Sequence, residues 1–119
     1  ACLLVAEMAA SCRKTLTAIL RELYQEVGTF LTKRLDLHLG RGEQERLMAR
    51  LSDPPAGLAD LKVVEVKRLE GTKLLLEDGS WILLRPSGTE PVVRLYVEAH
   101  SEETLEILTE AARRIVIEP

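Results

Sequence analysis

The amino-acid sequence predicts an α+β domain in which helices pack on one face of an antiparallel sheet of about four to five strands, preceded by an N-terminal helical segment. Apolar residues recur at helical spacing near both ends of the chain, whereas apolar and polar residues alternate along most of its middle. The dipeptides Glu70-Gly71 and Asp78-Gly79 separate successive strand-like runs, and turns this tight join antiparallel neighbours.

Length and composition limit the possible functions. A chain of 119 residues is about one domain and buries roughly two thirds of its unfolded surface. The net charge is −3 and only 3% of the residues are aromatic, which argues against nucleic-acid binding because that needs a basic surface and stacking platforms. The apolar run from Cys2 to Ala10 is short and contains Glu7, so it resembles neither a signal peptide nor a membrane span. We therefore expect a cytoplasmic protein without nucleic-acid or membrane partners.

Residues 1–27 are predicted to form a helical segment. Ala1 to Arg13 is apolar around most of a helix, and Thr15 is a suitable N-cap for a second helix that stops at Gly28. The apolar stripe of this second helix consists of Leu16, Ile19, Leu20, Leu23 and Val27. Because the chain begins without Met and within a hydrophobic helical pattern, we interpret it as a fragment. Residues 1–27 would then end a preceding domain and include the hinge, and residues 28–119 would form the C-terminal domain.

Both cysteines lie in the N-terminal segment. Cys2 and Cys12 are about 15 Å apart at helical rise, which is too far for a disulfide. We expect them to be reduced and to pack as small core residues. The sequence leaves open a structural alternative, in which the apolar N-terminal helix is a dimerisation element.

The rest of the chain is assigned from its periodicity and turn residues. A short helix is predicted from Glu43 to Leu51, a surface loop from Ser52 to Gly57, and a final helix after its N-cap Ser101. The final helix is expected to turn Leu105, Leu108, Ala112 and Ile115 inward. The strands are predicted at residues 31–39, 61–69, 73–77, 81–84 and 93–98. Trp81 is expected to anchor the core, and His38 and His100 to lie at the surface or at strand ends.

The stretch from Arg85 to Arg94 has the composition of an anion site. Its guanidiniums are planar forks of donors that match phosphate oxygens, and its Ser and Thr hydroxyls add short donors. Gly88 has no side chain to keep backbone N–H groups away from a ligand, and Pro86 and Pro91 restrict the backbone on either side. Strand-like runs flank the stretch, so we expect the sheet to present it as a preorganised loop.

The segment from Trp81 to Ala99 closely resembles the C-terminal domain of the α-D-phosphohexomutases, the superfamily of phosphoglucomutase, phosphomannomutase and phosphoglucosamine mutase. The residues from Arg85 to Pro91 match the phosphate-binding loop of that family without a departure. The resemblance implies a four-domain parent enzyme that interconverts hexose 1-phosphate and hexose 6-phosphate through a phosphoserine. The C-terminal domain of such an enzyme holds the phosphate that is not reacting.

The resemblance also assigns roles to individual residues of this chain. The phosphate contacts would be Arg85, Ser87, Gly88, Thr89 and Arg94. The residues that support the loop would be Pro86, Glu90 and Pro91, with Glu90 orienting Arg85 or Arg94. The expected partners are a phosphosugar substrate and the preceding domains of the same polypeptide.

The motifs of the family's other domains are absent from this sequence. It contains no Ser-His-Asn stretch for a phosphoserine, no Asp-x-Asp-x-Asp magnesium site and no Gly-Glu-x-Ser-Gly sugar-reading loop. We therefore expect no catalytic residue and no metal or cofactor in this fragment, and Mg²⁺ only in the parent enzyme. The fragment should bind and not turn over, and the preferred hexose stays open. A second hypothesis of another class also stays open, in which the chain is a stand-alone module that binds phosphorylated ligands without catalysis.

Overall fold

The computed structural model describes residues 1–117 and divides into two compact units. The first unit comprises Ala1–Phe30, and the second begins at Leu31. The boundary between the units falls after Phe30, whereas the sequence predicts a boundary before Gly28. None of the helices within the described residues is both long and apolar enough to cross a membrane.

The first unit contains two helices, α1 (Cys2–Cys12) and α2 (Leu16–Val27). The Thr15 hydroxyl accepts a hydrogen bond from the Ala18 amide at 3.2 Å, and α2 ends at Gly28, whose φ is 90°. The predicted start and stop of the second helix are thus confirmed. Both cysteines are free, but they are exposed, because α1 has no buried residue within this unit. The expectation that they pack in a core is wrong for the unit as described.

The second unit is a six-stranded antiparallel sheet with both of its helices packed on one face. The strands run in the order β1-β6-β5-β4-β3-β2. Their bounds are β1 (Leu31–His38), β2 (Gly57–Leu58), β3 (Leu61–Lys67), β4 (Thr72–Leu76), β5 (Trp81–Pro86) and β6 (Val92–Ala99). The helices are α3 (Arg41–Arg50) and α4 (Glu102–Ile117). The predicted α+β class is therefore confirmed.

The sheet has one strand more than the largest number predicted. The additional strand is β2, which pairs with the start of β3 through Gly57 and Leu58. The sequence predicts that Gly57 ends a surface loop, because two prolines lie just before it. A strand of two residues is too short to show alternation, so its pairing depends on the position of β3 and could not be read from the sequence.

The core lies between the sheet and the two helices. Alternate residues of β5 and β6 point into it, and Ile82, Leu84, Val93 and Leu95 are each fully buried. Leu47 and Leu51 from the α3 region and Leu108 from α4 close the other side. Each such side chain contributes about 1.5–3 kcal/mol of burial, which holds the strand register firmly. Because side chains alternate along a strand, the intervening residues must lie on the outer face of the sheet.

Trp81 lies on this outer face, so the expectation that it anchors the core is wrong. Its indole N–H donates to Glu98 Oε1 at 2.7 Å, and the Lys73 ammonium lies 3.7 Å from the centroid of its rings. The reason is the period of two, because the neighbouring Ile82 occupies the core face. His38 and His100 are exposed, His38 at the end of β1 and His100 directly after β6, as predicted.

Candidate functional site

The candidate site is the loop that joins β5 to β6, which runs from Ser87 to Pro91. Both of its ends are tied to the sheet by backbone hydrogen bonds. The Ser87 amide donates to the Val92 carbonyl at 2.9 Å, and the Leu39 amide donates to the Pro91 carbonyl at 3.0 Å. The loop is therefore anchored to its own hairpin and to the chain that follows β1.

Within the loop, Ser87 organises the backbone. Its Oγ accepts the Glu90 amide at 3.3 Å and lies 3.5 Å from the Thr89 nitrogen. The Val92 amide closes the turn by donating to the Glu90 carbonyl at 2.8 Å. A hydroxyl that accepts amide protons can still donate its own proton, so Ser87 can order the loop and also offer a donor to an anion.

The tip of the loop is open to solvent at Gly88, Thr89 and Glu90. A Cβ built on Gly88 would meet no atom within 4 Å, and its φ lies outside the positive region that favours glycine. The fold therefore does not require glycine at this position. A glycine that the fold does not need leaves the neighbouring backbone accessible to a ligand.

The two arginines of the stretch are brought together by the strand register. Arg85 on β5 and Arg94 on β6 are direct cross-strand partners, and both lie on the outer face. The Arg94 Nη2 contacts Glu90 Oε2 at 3.1 Å, and its Nε is enclosed without a hydrogen-bond partner among the described residues. The Arg85 Nη1 lies 3.3 Å from Glu70 Oε2. Glu90 was predicted to orient either Arg85 or Arg94, and in the structure it contacts Arg94.

The edge strand β1 adds a further ion pair to this face. Asp36 is the cross-strand partner of Arg94, and its carboxylate accepts two hydrogen bonds from Arg34, at 3.0 and 2.9 Å. The hydrogen bonds from Arg34, together with the positive charges of Arg34 and Arg94, hold the pKa of the Asp36 carboxyl below its usual range. The same pair raises the pKa of Arg34, whose guanidinium also lies 5.7 Å from the centroid of the Tyr96 ring.

The structure thus adds Glu70, Arg34 and Asp36 to the surroundings of the predicted site. None of them belongs to the motif from Arg85 to Arg94. The alternation along β1 predicts that Arg34 and Asp36 share one face of the sheet. It does not predict that they lie opposite Tyr96 and Arg94, because that depends on the strand register. Glu70 carried no signal beyond its position in a turn.

The chemistry available at this site is hydrogen-bond donation from guanidiniums, hydroxyls and backbone amides, and each of the three guanidiniums on this face is paired with a carboxylate. Among residues 1–117, no three His, Cys, Asp or Glu side chains converge in a way that could hold a metal ion. A magnesium site therefore does not fit the residues described. The arrangement can hold and orient an anion.

Comparison with known proteins identifies the family. The profile described as "Phosphoglucomutase/phosphomannomutase, C-terminal domain" matches residues 47–115, which is more than half of the chain. A phosphopentomutase of Thermococcus kodakarensis is 33% identical over 78% of this chain and 21% of its own length. A phosphoglucomutase/phosphomannomutase of the same organism is 34% identical over 69% of this chain and 17% of its own length.

Two further matches are also sugar phosphomutases or members of the same family. A probable phosphoglucosamine mutase of Methanothermobacter thermautotrophicus is 39% identical over 58% of this chain and 14% of its own length. A crystal structure of a phosphoglucomutase/phosphomannomutase family protein from Burkholderia thailandensis superposes with a TM-score of 0.56 at 25% identity, covering 80% of this chain and 19% of that chain. The chain therefore spans about a fifth or less of the length of these relatives. By its sequence and its fold, the chain belongs to the family of phosphoglucomutase/phosphomannomutase C-terminal domains.

Proposed function

We propose that the segment from Arg85 to Arg94 binds the phosphate group of a sugar phosphate within a cytoplasmic phosphohexomutase. The observation that carries the proposal is the cross-strand pairing of Arg85 with Arg94 beside the open backbone at Gly88. Two guanidiniums on one face and accessible amides next to them suit a compact dianion. A charge-assisted hydrogen bond contributes about 1.5–3 kcal/mol, so a few of them suffice for specific retention of phosphate.

The proposed role of this domain is to hold the phosphate that does not react. The relatives are named phosphopentomutase, phosphoglucosamine mutase and phosphoglucomutase/phosphomannomutase, and each of these names describes an enzyme that moves a phosphate on a sugar. The parent would interconvert hexose 1-phosphate and hexose 6-phosphate through a phosphoserine, with Mg²⁺ held by its other domains. Positioning and charge stabilisation dominate phosphoryl transfer, so a domain that only orients the substrate still contributes to the rate.

The site accounts for phosphate recognition and leaves the sugar to other domains. Ser87 and Thr89 would offer their hydroxyls and Gly88 its backbone amide, while Arg85 and Arg94 would supply charge. None of these groups distinguishes one hexose from another, because all hexose phosphates present the same anion to the loop. This agrees with relatives whose names cite different sugars.

The direct test is a titration of the isotopically labelled chain with inorganic phosphate and, separately, with glucose 1-phosphate. The amide resonances of Ser87, Gly88 and Thr89 should shift at millimolar ligand. If other amides shift while these three stay still, the assignment of the site is wrong.

The substitution Gly88→Ala tests the same site with a matched control. A methyl group at Gly88 meets no neighbouring atom, so the urea midpoint should not fall, but phosphate affinity should drop because the methyl group covers the open backbone. Gly42→Ala, on α3, also meets no atom within 4 Å and should leave phosphate binding unchanged. Equal phosphate affinity in both variants would contradict the proposal.

A further inference from the structure

Glu70 lies outside the segment from Arg85 to Arg94, yet it contacts Arg85, one of the two arginines of that segment. Its Oε2 is 3.3 Å from Arg85 Nη1. Glu70 belongs to the turn between β3 and β4, whereas Arg85 lies near the end of β5. The pair therefore links the turn between β3 and β4 to strand β5.

The backbone of this turn is placed against β5 by Gly71. A Cβ on Gly71 would lie 2.4 Å from the Leu84 carbonyl oxygen and 3.0 Å from Arg85 Cα. The φ of Gly71 is +153°, which side chains of L-residues rarely adopt. Only glycine allows this approach, and the approach brings the neighbouring Glu70 beside the Arg85 guanidinium.

The pairing has an electrostatic reason. Arg85 and Arg94 are directly opposite each other, and like charges in that position repel. Arg94 is accompanied by Glu90 at 3.1 Å, and Arg85 is accompanied by Glu70 at 3.3 Å. Each guanidinium thus has a carboxylate of its own, which offsets the repulsion while no anion is bound.

The contact also leaves a useful part of Arg85 available. Glu70 approaches Nη1, and the edge formed by Nε and Nη2 can still donate two parallel hydrogen bonds to phosphate oxygens. The Glu70 side chain is 67% exposed, so solvent screens its repulsion of an incoming anion. Orientation of the guanidinium should therefore outweigh that repulsion.

We propose that Glu70 is a positioning residue for phosphate binding, acting through Arg85. It keeps the guanidinium oriented and partly neutralised before the anion arrives. That the ligand is phosphate rests on the proposed function. The effect of Glu70 on the Arg85 side chain does not depend on the identity of the ligand.

The substitution Glu70→Gln removes the charge and keeps the shape of the side chain. Affinity for inorganic phosphate should fall about two- to fivefold, the range expected for an exposed ion pair. The matched control is Glu65→Gln on β3, which breaks another exposed pair, Glu65 with Lys67, also at 3.3 Å. The control should bind phosphate as the unaltered chain does.

Two further measurements separate positioning from a general charge effect. In an Arg85→Ala background, Glu70→Gln should no longer weaken phosphate binding. Without phosphate, NMR of the Arg85 side-chain nitrogens should show faster rotation about the Nε–Cζ bond in Glu70→Gln and no change in Glu65→Gln.

The proposal is overturned if Glu70→Gln binds phosphate more tightly, if it weakens binding equally without Arg85, or if the Arg85 nitrogens are unaffected. The measurement without phosphate also separates this inference from the proposed function. If phosphate leaves the amide resonances of Ser87 to Thr89 unchanged, phosphate binding at this site is refuted. A change in the Arg85 side-chain nitrogens in Glu70→Gln would still support the positioning role of Glu70.

Discussion

Gly71 and Gly88 flank the same site and are glycines for opposite reasons. Gly71 is required by the fold, because its backbone lies directly against Leu84 and Arg85 with a positive φ. Gly88 meets no atom within 4 Å and has no such φ, so the described residues give no reason for a glycine there. Under the proposed function the ligand supplies the reason, because a bare backbone lets an anion approach closely.

The substitution Gly71→Ala should therefore be costly. The added methyl group would meet the Leu84 carbonyl, which is backbone and cannot move aside cheaply, and the residue would also be strained. We expect a loss of about 1–3 kcal/mol in the free energy of unfolding, measured by urea denaturation.

Gly88→Ala is the appropriate comparison, since it is the same chemical change in open space. A Gly71→Ala variant as stable as Gly88→Ala would show that the turn can shift away from β5. The position of Glu70 beside Arg85 would then not depend on Gly71.

At the scale of elements, α4 shows how local signals and packing combine. Ser101 Oγ accepts the Thr104 amide at 3.1 Å, so the predicted N-cap is confirmed. Glu102 and Glu103 occupy the first turn, where the helix dipole favours negative charge. Leu105, Leu108, Ala112 and Val116 are buried against the sheet, while Ile115, predicted to point inward, is only partly buried.

Replacing the cap tests its contribution to stability. Ser101→Ala leaves the Thr104 amide without its side-chain acceptor, so the free energy of unfolding should fall by about 1 kcal/mol. Thermal or urea unfolding measures the change. Ser101→Asp restores an acceptor and should recover most of the loss, and identical stability of both variants and the original chain would show that the cap contributes nothing.

At the scale of the whole domain, charges on the outer face link stability to pH. Asp36 has a folded pKa below its usual range, chiefly because Arg34 hydrogen-bonds its carboxylate. A depressed folded pKa means that this group adds stability at pH values above its unfolded pKa, which is near 4. That contribution is lost as the pH falls through the lower, folded pKa.

We therefore expect Asp36→Asn to flatten the fall of stability below about pH 4. The measurement is urea unfolding at a series of pH values, with the Asp36 carboxyl titration followed by NMR. The effect should be small, since both side chains of the pair are about half exposed. The control is Asp53→Asn, in the exposed loop before β2, which also removes one negative charge. An equal change in the pH dependence of stability in both variants would contradict the role of the ion pair between Arg34 and Asp36.

Much of this domain could be predicted because its signals are local. The tight turns at Gly71 and Gly79, the alternation along β5 and β6, and the caps of α2 and α4 each depend on a few neighbouring residues. Trp81 shows the limit of composition alone. A large aromatic residue suggests a core position, but the strand period assigns that position to Ile82.

The sequence by itself determined the class of the fold, the donors of the candidate site and their placement between two strands. Only the tertiary structure decided that Arg85 faces Arg94, that Asp36 lies across from Arg94 and that Glu70 reaches Arg85. The physical reason is that periodicity specifies which face a side chain occupies, whereas strand order and register are set by core packing among residues distant in the chain. The groups that orient the proposed phosphate site therefore come from elements on which its motif gives no information.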